Sequence, residues 1–181
     1  METIYTVGHS TRDADEFVAL LRGQGVRLLV DVRRFPGSRR HPQFNAESLA
    51  RTLANAGIGY RHEPDMGGRR EGLAESPNGA WRNAGFRAYA DHLGSAEFRS
   101  ALARLRSDAE ATVVAIMCAE AVPWRCHRQL ISDALVAGGS EVRHIVSAAE
   151  PRAHELNPMA RVGPDGLLTY PGEEPEQREL L

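Results

Sequence analysis

Ala111-Thr-Val-Val-Ala-Ile-Met-Cys118-Ala-Glu120-Ala-Val-Pro-Trp-Arg125-Cys126-His127-Arg128-Gln-Leu-Ile-Ser-Asp-Ala-Leu135-Val-Ala-Gly138-Gly139 decides how the chain folds. Up to Met117 it is apolar apart from Thr112 and partly β-branched, the pattern of a strand buried on both faces. From Arg128 to Ala137 it sets Leu130, Ile131, Ala134 and Leu135 on one helical stripe, and Gly138-Gly139 supplies the stop. A strand, a loop and a helix in that order make an α/β unit, and ligands of open α/β sheets bind beyond the carboxyl ends of the strands. The loop from Cys118 to His127 leaves a strand at that place and enters a helix N-terminus, so it is the leading site candidate.

The flanking sequence repeats the unit. Thr3 to Val7 reads as a first strand, running into Gly8-His9-Ser10, and Ser10 with Asp13 resembles a helix-opening capping pair. Phe17, Val18, Leu20 and Leu21 give the next helix its apolar face, and Val26 to Val32 is a second buried strand. Prolines and a glycine keep the basic stretch Arg34 to Phe44 irregular, after which Asn45 opens a helix carrying Leu49, Leu53 and Ala56. Ile58 to His62 is a weaker third strand, and Glu63 to Trp81, with Gly67 and Gly68, is a long loop of the kind that is either functional or disordered. One broken or two short helices, Phe86 to His92 and Ala96 to Leu105, lead into the Cys118 strand, and Val142 to Val146 is the last strand.

Strands alternating with helices predict an α/β fold in three layers, with about five mainly parallel strands and helices on both faces. Residues 1–150 form the single domain of this reading, and 151–181 an extended or partly disordered C-terminal tail in which Leu167 to Tyr170 adds at most one edge strand. A chain of 181 residues with 42% hydrophobic content buries a core without disulfides or metal.

A net charge of −2 excludes a global field that would recruit nucleic acid or an anionic membrane, so any such attraction is local. All 22 basic residues are Arg; the absence of Lys excludes Schiff-base chemistry and a P-loop lysine. No apolar run is long enough to span a membrane and no secretory leader is evident, which predicts a cytoplasmic protein with no membrane partner. In a reducing compartment the two cysteines are free thiols, a redox pair or metal ligands.

Cys126 and His127 fall in the first turn of the predicted helix, where unpaired N–H groups favour a thiolate or a bound phosphate, and Arg125 and Arg128 add positive charge. The competing reading of Cys126 and of Cys118 is a small buried core residue. Glu120 is a general base, a metal ligand, or the partner of Arg125 or Arg128. Asp31, at a strand end beside Arg33, either orients a site group or caps its own loop, and His9 is either an acid/base or a turn residue. Arg33, Arg34, Arg39, Arg40 and His41, interleaved with Phe35 and Phe44, either hold phosphates and stack a base or form a solvated charge run.

Together these residues resemble the family known as domain of unknown function 488. The matching pieces are Thr6-Val7-Gly8-His9-Ser10, Asp31-Val32-Arg33 with Pro36, Ser38 and Arg39, the segment from Tyr60 to Gly68, Cys118-Ala119-Glu120, and Cys126-His127-Arg128. They run in family order from about residue 3 to 147, with Met66 where leucine is usual. The resemblance implies an α/β fold and a shared polar site formed by His9, Asp31, Arg33, Arg39, Cys118, Glu120, Cys126, His127 and Arg128. It implies no activity.

The expected function is an enzyme, a hydrolase or transferase, acting on an anionic small molecule that is phosphate-bearing or nucleotide-like. Ser10, Arg33, Ser38, Arg39, Arg125, Arg128, Gly67 and Gly68 would hold the substrate. Cys126 would be nucleophile or redox thiol, His127 or His9 would move protons, and Asp31 or Glu120 would orient them, with Cys118 beside them. One alternative is a nucleic-acid binding module built on the Arg-rich loops, with Arg70, Trp81 and Trp124 contributing; another is a Cys/His/Glu metal-dependent hydrolase. Cofactor and oligomeric state stay open at this level.

Overall fold

The computed structural model describes residues 1–172. Its elements follow the predicted alternation: β1 (Thr3–Gly8), α1 (Ala14–Gly23), β2 (Leu28–Asp31), α2 (Ala46–Asn55), β3 (Gly59–His62), α3 (Ala84–His92), α4 (Ala96–Ala111), β4 (Val114–Cys118), α5 (Arg128–Ala137) and β5 (Glu141–Ile145). Strands β1 to β5 are parallel in the order β3-β2-β4-β1-β5, and a short β6 (Arg152–Ala153) pairs antiparallel with β5. The fold is α/β with a mostly parallel six-stranded sheet and, among the described residues, five α-helices.

Successive strand residues face opposite sides, and both sides are apolar here. Ile4, Val30, Val114, Ile116 and Val142 pack with α3, α4 and α5 through Tyr89, Phe98, Leu105, Leu130 and Leu135. Val7, Leu29, Ala115, Met117 and Ile145 pack instead with α1 and α2 through Phe17, Leu21, Leu49 and Leu53. Each face of the sheet is thus sealed by helices, and polar chemistry is left to the strand ends. No helix among the described residues is long and apolar enough to cross a membrane.

Register assembles the carboxyl edge: Gly8 pairs with Cys118, and Asp31 with Met117. β1 and β4 are neighbours whose outgoing helices, α1 and α5, pack on opposite faces, the arrangement that opens a crevice between strand ends. Gly8 permits the crossing, because a Cβ there would lie 1.7 Å from the carbonyl oxygen of Glu120.

Two of the predicted caps act differently. Asp13, not Ser10, caps α1 by accepting from the Glu16 N–H, and Ser10 is left-handed (φ 50°). Asn45 precedes α2, but its Oδ1 accepts from the N–H of Ser38, so it ties the basic loop to the helix start.

The described part of the C-terminal segment, 151–172, reaches the core through Ala160, Leu168 and Tyr170. Leu168 and Tyr170 are buried in the α3–α5 side of the core, and the Tyr170 N–H is held by Asn78 Oδ1 from the long Glu63–Trp81 loop. Leu168–Thr169 (β8) does form a strand, but it pairs with Arg161–Val162 (β7) in a separate ribbon, and the sheet edge is β6. The rest of the predicted tail, 173–181, lies outside the described residues.

Candidate active site

Four loops meet at the carboxyl edge, after β1, β2, β3 and β4. Main-chain hydrogen bonds lace them together: His9 N–H to Cys118 O (3.0 Å), Ser10 N–H to Ala119 O (2.9 Å) and Val32 N–H to Met117 O (2.9 Å). Two buried polar clusters result.

The first is the thiol cluster. Cys118 ends β4, and Cys126 follows a 3-10 turn, Pro123–Arg125, in extended backbone just ahead of the α5 N-cap, His127. Cys126 therefore stands before the first helical turn rather than in it, and the helix still reaches back to it through the Arg128 N–H (3.5 Å). The two sulfurs lie 2.6 Å apart. Arg128, only 1% exposed, donates from Nε to Cys118 Sγ (3.0 Å), from Nη1 to Thr6 Oγ1 (3.1 Å) and from Nη2 to the Glu120 carbonyl (2.6 Å).

His127 Nε2 bonds the Val32 carbonyl (2.9 Å), which puts the ring proton on Nε2 and turns the Nδ1 lone pair to Cys126 Sγ at 3.5 Å. A Cβ at Gly68 would lie 3.2 Å from that Nδ1, so glycine leaves the ring room. Burial pushes the Cys126 thiol up, but the hydrogen bond from Cys118 and the charge of Arg128 outweigh it and bring it down to about 7. Burial and the neighbouring Cys126 push Cys118 well above the ordinary range. The pair thus gives up its first proton from Cys126, and the Cys118 S–H donates to the resulting thiolate. Burial lowers His127 as well, which keeps its imidazole neutral near pH 7.

The second cluster surrounds Asp31, which is fully buried. Its Oδ1 accepts from Arg33 Nε (2.8 Å), and its Oδ2 from Arg33 Nη2 (2.6 Å) and the Tyr60 hydroxyl (2.8 Å). Arg33 Nη2 also reaches the Phe44 carbonyl, and Nη1 faces His9 Nε2 at 3.4 Å. His9 donates from Nδ1 to Ser10 O and stacks on Phe44, 4.3 Å between centroids. Burial, with Arg33 adding to it, lowers His9 to about 4. Both ring nitrogens of His9 are occupied, and the group serves the scaffold.

Behind the thiols runs a polar chain that sequence reasoning missed apart from Thr6. The Thr6 hydroxyl accepts from Arg128, so its own hydrogen goes to His144 Nδ1 (2.7 Å); His144 Nε2–H then donates to His154 Nδ1 (3.0 Å), and His154 Nε2–H to Asp133 Oδ1 (2.8 Å). The Tyr170 hydroxyl donates to Asp133 Oδ2 (2.7 Å) and closes it. Burial, helped by the His154 ring and the Arg128 charge, holds His144 down to about 3, in keeping with its neutral place here.

Several expected residues stand elsewhere. Glu120 is exposed and meets Arg128 through its carbonyl, so its carboxylate is not brought into the site. Arg33 and Arg128 are buried and their donors are used within the protein, while Arg34, Arg39, Arg40 and Arg125 are exposed. Ser38 folds the basic loop, its hydroxyl accepting from the His41 N–H (3.0 Å). Gly67 packs on Arg34, where a Cβ would lie 2.7 Å from Cα. Glu120 stands apart from Cys118, Cys126 and His127, and among the described residues no group of three or more His, Cys, Asp or Glu side chains is arranged to hold a metal ion; the cation beside Cys118 is the Arg128 guanidinium.

His9 and His144 give an acid limit. The unfolded chain protonates them at 6.5, the folded chain only near 4 and 3, so their contribution is complete above 6.5 and is lost as pH falls toward those values. The expected slope is at most about 1.4 kcal/mol per pH unit for each ring. Urea midpoints should fall between pH 7 and about pH 5, less steeply in His144→Gln; an unchanged slope in that variant would remove His144 from this account.

Fold and site together define a parallel α/β protein with a buried thiol–arginine cluster at the carboxyl edge of its sheet. The chain belongs to the family described as domain of unknown function DUF488, whose model matches residues 13–135. That span takes in Asp31, Arg33, both cysteines, His127 and Arg128, and is shorter at both ends than the stretch over which the motifs resemble the family. No curated protein and no solved structure matches the chain.

Proposed function

We propose that the protein is a hydrolase or transferase that works through Cys126 on an anionic, phosphate-bearing or nucleotide-like small molecule. The observation that carries this reading is the Cys126 sulfur at the carboxyl edge, with His127 Nδ1 and the Arg128 main-chain N–H each 3.5 Å away and Cys118 against it, surroundings that draw the thiol down although it is buried. The lowered thiol gives up its proton more readily than an ordinary cysteine at neutral pH, and His127 Nδ1, 3.5 Å away, is placed to take or return a proton. Exposed Arg34, Arg39, Arg40 and Arg125 surround this edge and supply the attraction for an anion, while Arg33 and Arg128 stay structural. We place the protein in the cytoplasm, where both thiols stay reduced.

A second reading is supported by Phe35 (66% exposed) and Trp124 (55% exposed), which stand among the same arginines as a nucleic-acid stacking surface would require. One experiment separates the two. Native-state alkylation of Cys126 should rise with a midpoint near 7, and phosphate-bearing metabolites or nucleotides should slow it and raise the Tm. Alkylation that climbs only above pH ~8.5, like a free thiol, sinks the enzyme reading. A melt shifted by oligonucleotides alone, and lost at moderate salt, installs the binding module instead.

A further inference from the structure

We propose that Cys118 and Cys126 form a dithiol–disulfide couple that reduces hydroperoxides, with Cys126 as the attacking and Cys118 as the resolving thiol. This goes beyond the function proposed above and rests on one part of it, the ionisable Cys126. These are the only two cysteines in the chain, and their sulfurs stand 2.6 Å apart, nearer than unbonded sulfurs in ordinary contact. A disulfide at ~2.05 Å needs a further approach of about half an ångström.

One residue holds the two together. Arg128 grips Cys118 through Nε and Cys126 through its main-chain N–H, and Thr6 and the Glu120 carbonyl fix the guanidinium in turn. Cys118 is locked in the sheet by its register with Gly8, whereas Cys126 sits between a 3-10 turn and a helix start, where a small backbone adjustment brings its sulfur inward. The roles follow from exposure and charge. Cys126 is 5% exposed and ionises first; Cys118 is 2% exposed and keeps its proton.

The steps balance. The Cys126 thiolate attacks the terminal oxygen of a hydroperoxide, the O–O bond breaks, and the leaving alkoxide or hydroxide takes up a proton, leaving Cys126 as a sulfenic acid. The Cys118 sulfur then attacks the Cys126 sulfur; the S–O bond breaks, the Cys118 proton joins the departing hydroxide, and water leaves. Two thiols are oxidised to one disulfide and one hydroperoxide is reduced to an alcohol or water. An external dithiol restores the pair and becomes a disulfide itself. Because the reduced state is stabilised as a thiolate beside Arg128, the disulfide should be readily reduced.

The test uses the full reduced chain, treated with a slight excess of hydrogen peroxide at neutral pH, then denatured in iodoacetamide and weighed intact. The expected product carries no alkyl group, is lighter by two hydrogens, and regains two alkylatable thiols after dithiothreitol. In Cys118→Ser the sulfenic acid has no resolving partner, so dimedone should trap about tenfold more adduct on Cys126 than in wild type. Wild-type protein that keeps both thiols alkylatable after peroxide overturns the couple, as does a Cys118→Ser variant with no excess adduct. If that happens while native Cys126 still alkylates with a midpoint near 7, only the couple falls. If Cys126 is inert to both reagents, the thiol reading of the site falls with it.

Discussion

Arg128→Met is expected to lower stability by about 3–5 kcal/mol and to slow Cys126 together, because one guanidinium serves both. Methionine fills much of the volume but donates nothing. The Glu120 carbonyl and the Thr6 hydroxyl lose their donors, and the Cys126 thiolate loses the charge that offsets its burial. The Cys118 hydrogen bond and the main-chain N–H of residue 128 still act on the sulfur, so the Cys126 thiol should rise from about 7 toward its ordinary value of 9 without fully reaching it. The thiolate fraction at pH 7 should drop several-fold, and native alkylation should slow with it. Urea melts give the first quantity and alkylation against pH the second. Arg128→Lys keeps a charge without the planar fork, so it should recover part of the alkylation rate and little of the stability. A variant that loses stability but alkylates as wild type would detach Arg128 from the thiol chemistry.

What the sequence conveyed about this centre depended on how local each feature is. Strand–helix alternation was legible because the apolar periods of Val114–Met117 and Leu130–Leu135 are properties of neighbouring residues. The strand-end residues were legible for the same reason: a parallel sheet collects its carboxyl ends at one edge, so His9, Asp31, Arg33, Cys118 and Cys126 had to meet there.

Burial of charge was not legible. Arg33 and Arg128 read as anion clamps because nothing in the order of residues tells that Asp31, two positions away, takes one guanidinium, or that Cys118 and Thr6 enclose the other. Glu120 read as a site carboxylate for the converse reason, since its main chain is what the site uses.

The chain from Thr6 to Tyr170 was the least legible part. Thr6 and His144 are 138 positions apart, and His154 and Tyr170 lie in a segment without a helical or strand period. That segment packs residue by residue, so periodicity gave no sign that it covers Asp133 and fixes the tautomers behind Arg128. Buried Asp133 in the middle of α5 was the available signal: a fully enclosed carboxylate requires partners, and no other part of the fold supplies as many of them, His154, Asn157 and Tyr170, as the C-terminal segment.

Gly8→Ala is the smallest change with the largest expected consequence, a loss of more than about 4 kcal/mol or failure to accumulate folded protein. The added Cβ would lie 1.7 Å from Glu120 O, 2.6 Å from its carbon and 2.9 Å from Ala121 Cα, all main-chain atoms that no rotamer change can move aside. Relief requires the loop after β4 to retreat from β1. That retreat pulls the Glu120 carbonyl off Arg128 and breaks the His9–Cys118 and Ser10–Ala119 hydrogen bonds that join the two clusters. Any folded fraction should therefore show slowed Cys126 alkylation at pH 7 as well as an early melt. Gly23→Ala is the control: a Cβ there meets nothing within 4 Å, and at the end of α1 alanine is the better helix former, so the melt should stay level or rise slightly. A Gly8→Ala protein that melts within about 1 kcal/mol of wild type would mean that the β4 loop does not rest on β1, and the site built on that contact would have to be redrawn.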